Sequence, residues 1–302
     1  MRRRCGTALA VIAIAVVLGA CAPGQMPDRE PDTEPAQPPA RTSWTLGHRI
    51  VESKSLRVVG RHIDQYEEST SVTLGPAADG ADPGCFVTVS VPGSGGPDNM
   101  VGEKIPTRVR SRPGIRSGAG AEGAYLMWHL EDGRWVMVGC DHPDDHRSVD
   151  VVAAAVQLRP SSIAVPFGLK TLPVGYGLSI ISQNLRSGST SVHLGRMRTK
   201  LGGAEADLEI SLEGRDPVHL PTGRQITIKG RPAMLNEAPR GPGVCIFVQE
   251  HYVCVTVYLS HTGDHPDRSD EIPTLIRIAE GLSYADDLDD RSTWLPAERA
   301  FE

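Results

Sequence analysis

Lysine is scarce in this 302-residue chain, and none of its five Lys follows a Gly or stands three places after a Ser. A Walker A phosphate loop and the Ser-x-x-Lys nucleophile pattern are therefore both missing. Gly-x-Ser-x-Gly, His-Glu-x-x-His and Cys-x-x-Cys do not occur either. Their absence removes the α/β-hydrolase elbow, the zincin helix, thiol-redox catalysis and zinc-ribbon spacing. Aromatic residues make up only 5%, and the formal charge is −6. A chain of that sign lacks the cationic surface that neutralises phosphates, so nucleic acid is not an expected partner. No apolar run is long enough for a permanent membrane span, which excludes a polytopic membrane protein. Collagen and coiled-coil periodicities are missing too. What is present, 39% hydrophobic and 23% charged residues, suffices for at least one full core.

The N-terminus carries an address. Arg2, Arg3 and Arg4 precede Ala8–Ala20, a stretch of Ala, Val, Ile, Leu and Gly only. As a helix it reaches roughly 20 Å against a bilayer core of about 30 Å, so residues 1–20 read as a signal peptide. It ends in Leu18-Gly19-Ala20-Cys21, which resembles the bacterial lipobox. The resemblance implies that Cys21 becomes a lipidated N-terminus on the extracytoplasmic face of the membrane. The alternative is ordinary secretion with a Cys that happens to follow the cleavage site. Residues 21–43, the lipidated Cys and a segment holding six Pro with interspersed acids, read as a disordered tether. Removing the signal peptide takes away three Arg and no acid, which moves the charge from −6 to −9. An acidic body does not lie flat on anionic lipid, so the lipid itself is the expected membrane contact.

The remainder reads as a duplication. Ser69-Thr70-Ser71-Val72 recurs as Ser189-Thr190-Ser191-Val192, Gly102 as Gly223, Arg112-Pro113 as Arg231-Pro232, Trp135-Val136 as Tyr252-Val253, and Asp141-His142-Pro143-Asp144 as Asp264-His265-Pro266-Asp267. Five matches in one order at nearly constant offset predict two homologous domains, 44–160 and 164–285, followed by an acidic tail, 286–302, with Trp294 and Leu295 as docking residues. Each copy presents β-branched alternating stretches, then a hairpin, then a helical pattern at Ser148–Leu158 or Ser269–Leu282. The expected fold class is α+β: two tandem repeats, each an antiparallel sheet of five or six strands with a C-terminal helix packed on one face.

Export makes disulfides the expected state of the cysteines. Cys5 leaves with the signal peptide and Cys21 is lipidated. Cys245 and Cys254 flank Gln249-Glu250 symmetrically, which places them opposite each other in a two-residue hairpin. Cys85 is left to pair with Cys140.

Few side chains point to chemistry. Asp141, His142 and His146, with Asp264 and His265 in the second copy, are candidate ligands for a divalent metal. The alternative is turn chemistry, with Pro fixing φ and Asp capping the helix behind it; the repetition of one tetrapeptide in one slot favours that. No cofactor and no catalytic residue is assigned. The stretch Ile226–Ala233, the hairpin after it, and Ile278-Ala279-Glu280-Gly281-Leu282 are loosely similar to extracytoplasmic domains of bacterial membrane proteins and sigma-factor regulators, some with a lipoprotein-carrier half-barrel. The resemblance implies a binding or sensing module. Three functions follow as expectations: a non-catalytic binding or interaction module with an unknown protein partner, a carrier of a lipid or other small apolar ligand between sheet and helix, and an exported hydrolase with an unrecognised site.

Overall fold

Strands dominate because alternation does. From Leu56 to Val257 the chain repeatedly places an apolar residue at every second position, and each such run pairs with a neighbour. The computed structural model describes residues 43–75, 84–118, 121–142, 145–197, 204–213, 221–239, 241–258 and 267–301. Seven strands of the main sheet come from the first half: β1 (Leu56–Asp64), β2 (Glu67–Leu74), β3 (Cys85–Ser90), β4 (Lys104–Val109), β5 (Arg112–Ser117), β6 (Ala124–His129) and β7 (Trp135–Cys140). Seven come from the second: β8 (Tyr176–Asn184), β9 (Thr190–Met197), β10 (Ala204–Glu213), β11 (Arg224–Ile228), β12 (Arg231–Asn236), β13 (Gly243–Val248) and β14 (His251–Val257). All fourteen form one antiparallel sheet, ordered β11-β12-β13-β14-β10-β9-β8-β1-β2-β3-β7-β6-β5-β4. Counted outward from the centre, both halves lay down their strands in the same sequence.

This architecture corrects the expected α+β class. The protein is mostly β, and among the described residues its α-helices are two of ten residues, α1 (His146–Ala155) and α2 (Ile272–Gly281), with one of four residues, α3 (Ala297–Ala300). Nor are there two separate sheets of five or six strands with a helix each. The outer edge of β1 pairs with that of β8, from Gly60↔Asn184 to Asp64↔Ile180, and fuses the halves. Each half places seven strands in the sheet, not five or six, because Pro113 and Pro232 are breakers on average and hide the strands that open with Arg112 and Arg231. Each Pro instead sits at the second residue of a strand, one position before the ladder to the inner neighbour starts at Gly114 or Ala233. The missing N–H therefore costs no hydrogen bond on that side.

One face of the sheet is covered throughout. α1 buries Val149, Val152 and Ala153 against the apolar positions of β3, β6 and β7. α2 buries Leu275, Ile278 and Ala279 against β11, β13 and β14. Between them lie the entering segment, with Leu46 in one core cluster and Ile50 in the other, and the connector residues Ile163, Val165 and Phe167. At this covered centre His48 is fully buried, with Nδ1 2.9 Å from Glu68 Oε1 and Nε2 2.9 Å from Thr70 Oγ1. The C-terminal stretch closes the same side. Trp294 is buried and donates from Nε1 to the Leu288 carbonyl, and Ala297 and Ala300 join the larger core. Among the described residues no helix is long and apolar enough to cross a membrane.

Candidate functional site

The opposite face carries no helix among the described residues, and its side chains are the ones that alternate with the core. The strand register aligns one open-face residue from every strand into a single row across the sheet. Its centre is polar: Thr88, Ser69 and His62 lead across the junction between the halves to Ser182, Ser191 and Ser211. Beyond Thr88 the row continues as Met137, Met127 and Ile115, and beyond Ser211 as Cys254, Cys245 and Met234. A strip of small hydroxyl groups thus runs between two sulfur-rich apolar wings. Each terminal hairpin adds an aromatic pair on this face, His129–Trp135 with ring centres 4.8 Å apart and Phe247–Tyr252 at 5.3 Å. The loop after β3 comes close to the first wing, where Gly96 approaches the Trp135 indole.

One step along the strands, carboxylates and imidazoles border the hydroxyl row. His62 Nε2 lies 3.4 Å from Asp64 Oδ2, and His193 Nε2 lies 3.3 Å from Ser191 Oγ and 4.0 Å from Glu209 Oε1. Burial pushes His193 down to about 4, helped by the nearby His62, so it is neutral at physiological pH. At 4.0 Å the Glu209 carboxylate is beyond hydrogen-bond reach, and desolvation wins. Burial raises the Asp64 carboxyl, but hydrogen bonds from His62 and from the Tyr66 and Glu67 amides outweigh it and hold the group below the usual range. Glu67 is pushed up, by burial first and by Asp64 second.

Ser191 and His193 do not form a hydrolytic dyad. A nucleophile's imidazole needs its far nitrogen held by an acceptor, whereas His193 Nδ1 is buried with no hydrogen-bond partner among the described residues. Its ring instead meets Tyr258 edge-on, 4.6 Å between centres.

The side chains singled out from the sequence lie elsewhere. Cys21, Asp264 and His265 fall outside the described residues. Asp141 and His142 are exposed, and His146 opens α1. Asp145 caps that helix by accepting the Ser148 amide at 3.2 Å. Among the described residues, the only cluster of three potential ligand atoms within metal-binding distance is Cys85, Cys140 and Asp145. The two sulfurs are bonded to each other there, so no thiolate is available to a cation. Cys85 is joined to Cys140 and Cys245 to Cys254. The first bridge lies in the helix-side core and the second on the open face, each between register partners of adjacent strands.

Neither His62 nor His193 is among the side chains singled out from the sequence. The signal was available: each neighbours a buried apolar residue, Ile63 or Val192, so alternation puts both imidazoles on the face away from the core. Comparison with protein-family models and with curated proteins finds no match for this chain.

Proposed function

We propose that the protein is a lipid-anchored, extracytoplasmic binding module without catalytic activity, and that it recognises a protein partner with the open face of its sheet. The supporting observation is the unbroken polar row that crosses both halves at Thr88, Ser69, His62, Ser182, Ser191 and Ser211 on the face that bears no helix. Strand alternation turns those positions away from the helix-side core; Ser69, His62, Ser182 and Ser191 are partly exposed, while Thr88 and Ser211 are buried. Small hydroxyls offer donors and acceptors at little entropic cost, while Phe247, 42% exposed, and its partner Tyr252 supply rigid contact area at one wing.

The carrier reading calls for a cavity between helix and sheet. Beneath the helices that space is filled by Val149, Val152, Leu275 and Ile278, all 0–1% exposed, and the concavity of about 520 Å³ beside α2 is lined by Lys229, Arg231, Gln249 and Asp286 as well as Ile246 and Leu282, so the reading is not adopted. A photoreactive amino acid placed at Ser69, Ser182 or Phe247 tests the proposal on intact cells. A discrete protein adduct is expected from those positions and none from Val151 on the exposed side of α1. Equal labelling at all four, or none, rejects the open face as the site. Cys21→Ser is expected to abolish processing or release the body from the membrane. Normal processing with retention of that variant rejects the lipid anchor.

A further inference from the structure

A second concave surface lies outside the open face, along the solvent side of α2. The connector between Leu169 and Tyr176 runs beside that helix and leaves a groove of about 500 Å³, within the range that holds a small ligand. Its floor is apolar: Leu169 and Ile278 are buried in the core beneath it, and Leu172 and Pro173 form the wall. Gly281 lets Leu169 pack closely against α2, since a Cβ there would come within 2.6 Å of the Leu169 side chain. Val174 stands at the rim fully exposed, which leaves an apolar side chain in water that a bound apolar chain would cover.

Two cations also line the groove, one from each side: Lys170 on the connector and Arg277 on α2. Neither has a carboxylate partner among the described residues, and the one side-chain contact of Arg277 is a 3.5 Å approach to Thr274 Oγ1 in its own helix. In a chain of net charge −6, two unpaired cations beside an apolar floor form a specific combination. The apolar floor disfavours a free inorganic anion, and the paired cations disfavour a neutral or cationic lipid.

We propose that this groove binds a single-chain anionic amphiphile, with its acyl chain over Leu169, Leu172, Val174 and Ile278 and its headgroup between Lys170 and Arg277. The site is independent of the open face, and either proposal stands if the other fails.

A palmitate analogue bearing a photoreactive diazirine in its chain tests it on the purified full-length protein, with adducts mapped by peptide mass spectrometry. Labelling is expected on the peptides that span 169–176 and 274–281. It should be competed by palmitate and competed poorly by hexadecanol or hexadecyltrimethylammonium, which carry no anion. The double charge reversal Lys170→Glu/Arg277→Glu is expected to weaken capture by more than about a hundredfold, since two charge-assisted contacts are lost and each is worth at least about tenfold. Val174→Asp should weaken it as well. All three positions are at the surface, and an unchanged circular dichroism melt verifies the fold. Labelling that maps elsewhere, that hexadecanol competes as well as palmitate, or that survives the charge reversal overturns the site. Binding to anionic vesicles without capture of the monomeric probe also overturns it, in favour of a bilayer-docking surface.

Discussion

Among the residues of the open face, His193 shows most directly how a fold alters a side chain. It is 7% exposed and its pKa is pushed down to about 4 by burial, against about 6.5 for a free imidazole. Between those values the unfolded chain takes up a proton that the folded one refuses, so stability is complete above about pH 6.5 and falls as pH drops toward 4. With about 1.4 kcal/mol per unit, the loss is at most about 3.5 kcal/mol. Urea denaturation at a series of pH values is expected to show that decline, and His193→Gln is expected to flatten it. A slope unchanged in the variant would assign the acid sensitivity to other groups. The cysteines make a second prediction at this scale. The Cys85–Cys140 bridge spans 55 residues and Cys245–Cys254 spans 9, so loop-closure entropy gives about 4 against about 2.5 kcal/mol. Cys85→Ala is therefore expected to lower the melting temperature more than Cys254→Ala, and the reverse order would show that chain entropy is not the main source of the stabilisation.

At the scale of elements, the β13–β14 hairpin connects the sheet to the C-terminal stretch. Its turn residues Gln249 and Glu250 both have positive φ, 49° and 67°, as a tight two-residue hairpin requires. That conformation projects the Gln249 side chain over the tail, where Nε2 donates to the carbonyls of Ala285 and Asp286 and Oε1 accepts the Leu288 amide at 2.9 Å. His251 Nε2 adds a contact to Asp289 at 3.1 Å. Gln249→Ala is expected to raise amide exchange across 286–301 at least tenfold while leaving the strands protected, because the lost bonds are local. Uniform exchange in both would mean that the tail is held by its apolar contacts alone. Elements were also where the sequence was most readable. Alternation predicted strands followed by a hairpin in each copy, and the nine-residue spacing about Gln249-Glu250 paired two of the cysteines. The strands that open with Arg-Pro were obscured because Pro is a breaker on average but harmless where only one neighbour is paired. The edge pairing of β1 with β8 was invisible, since alternation tells a strand which face to bury and not which neighbour to take. The open-face row depends on that pairing, so the site became legible only once the fold was known.

At the scale of the whole molecule, one continuous ladder makes the halves interdependent. Ile63 of the first half is fully buried in the core cluster of the second and is the register partner of Ile181, itself fully buried. A chain ending at residue 160 exposes both the unpaired edge of β1 and Ile63, a combination of open hydrogen-bonding groups and apolar surface that seeks another strand. Residues 44–160 expressed alone are therefore expected to self-associate through β1, detectable by light scattering, and co-expression with residues 161–302 should instead yield a one-to-one complex. Ile63→Asp in the isolated half should suppress the self-association, because the strand edge then carries a charge where a partner would have to bury it. A stable monomer of 44–160 that does not pair with the second half would show that the sheet junction contributes little, and the polar row crossing that junction would lose its claim to act as one surface.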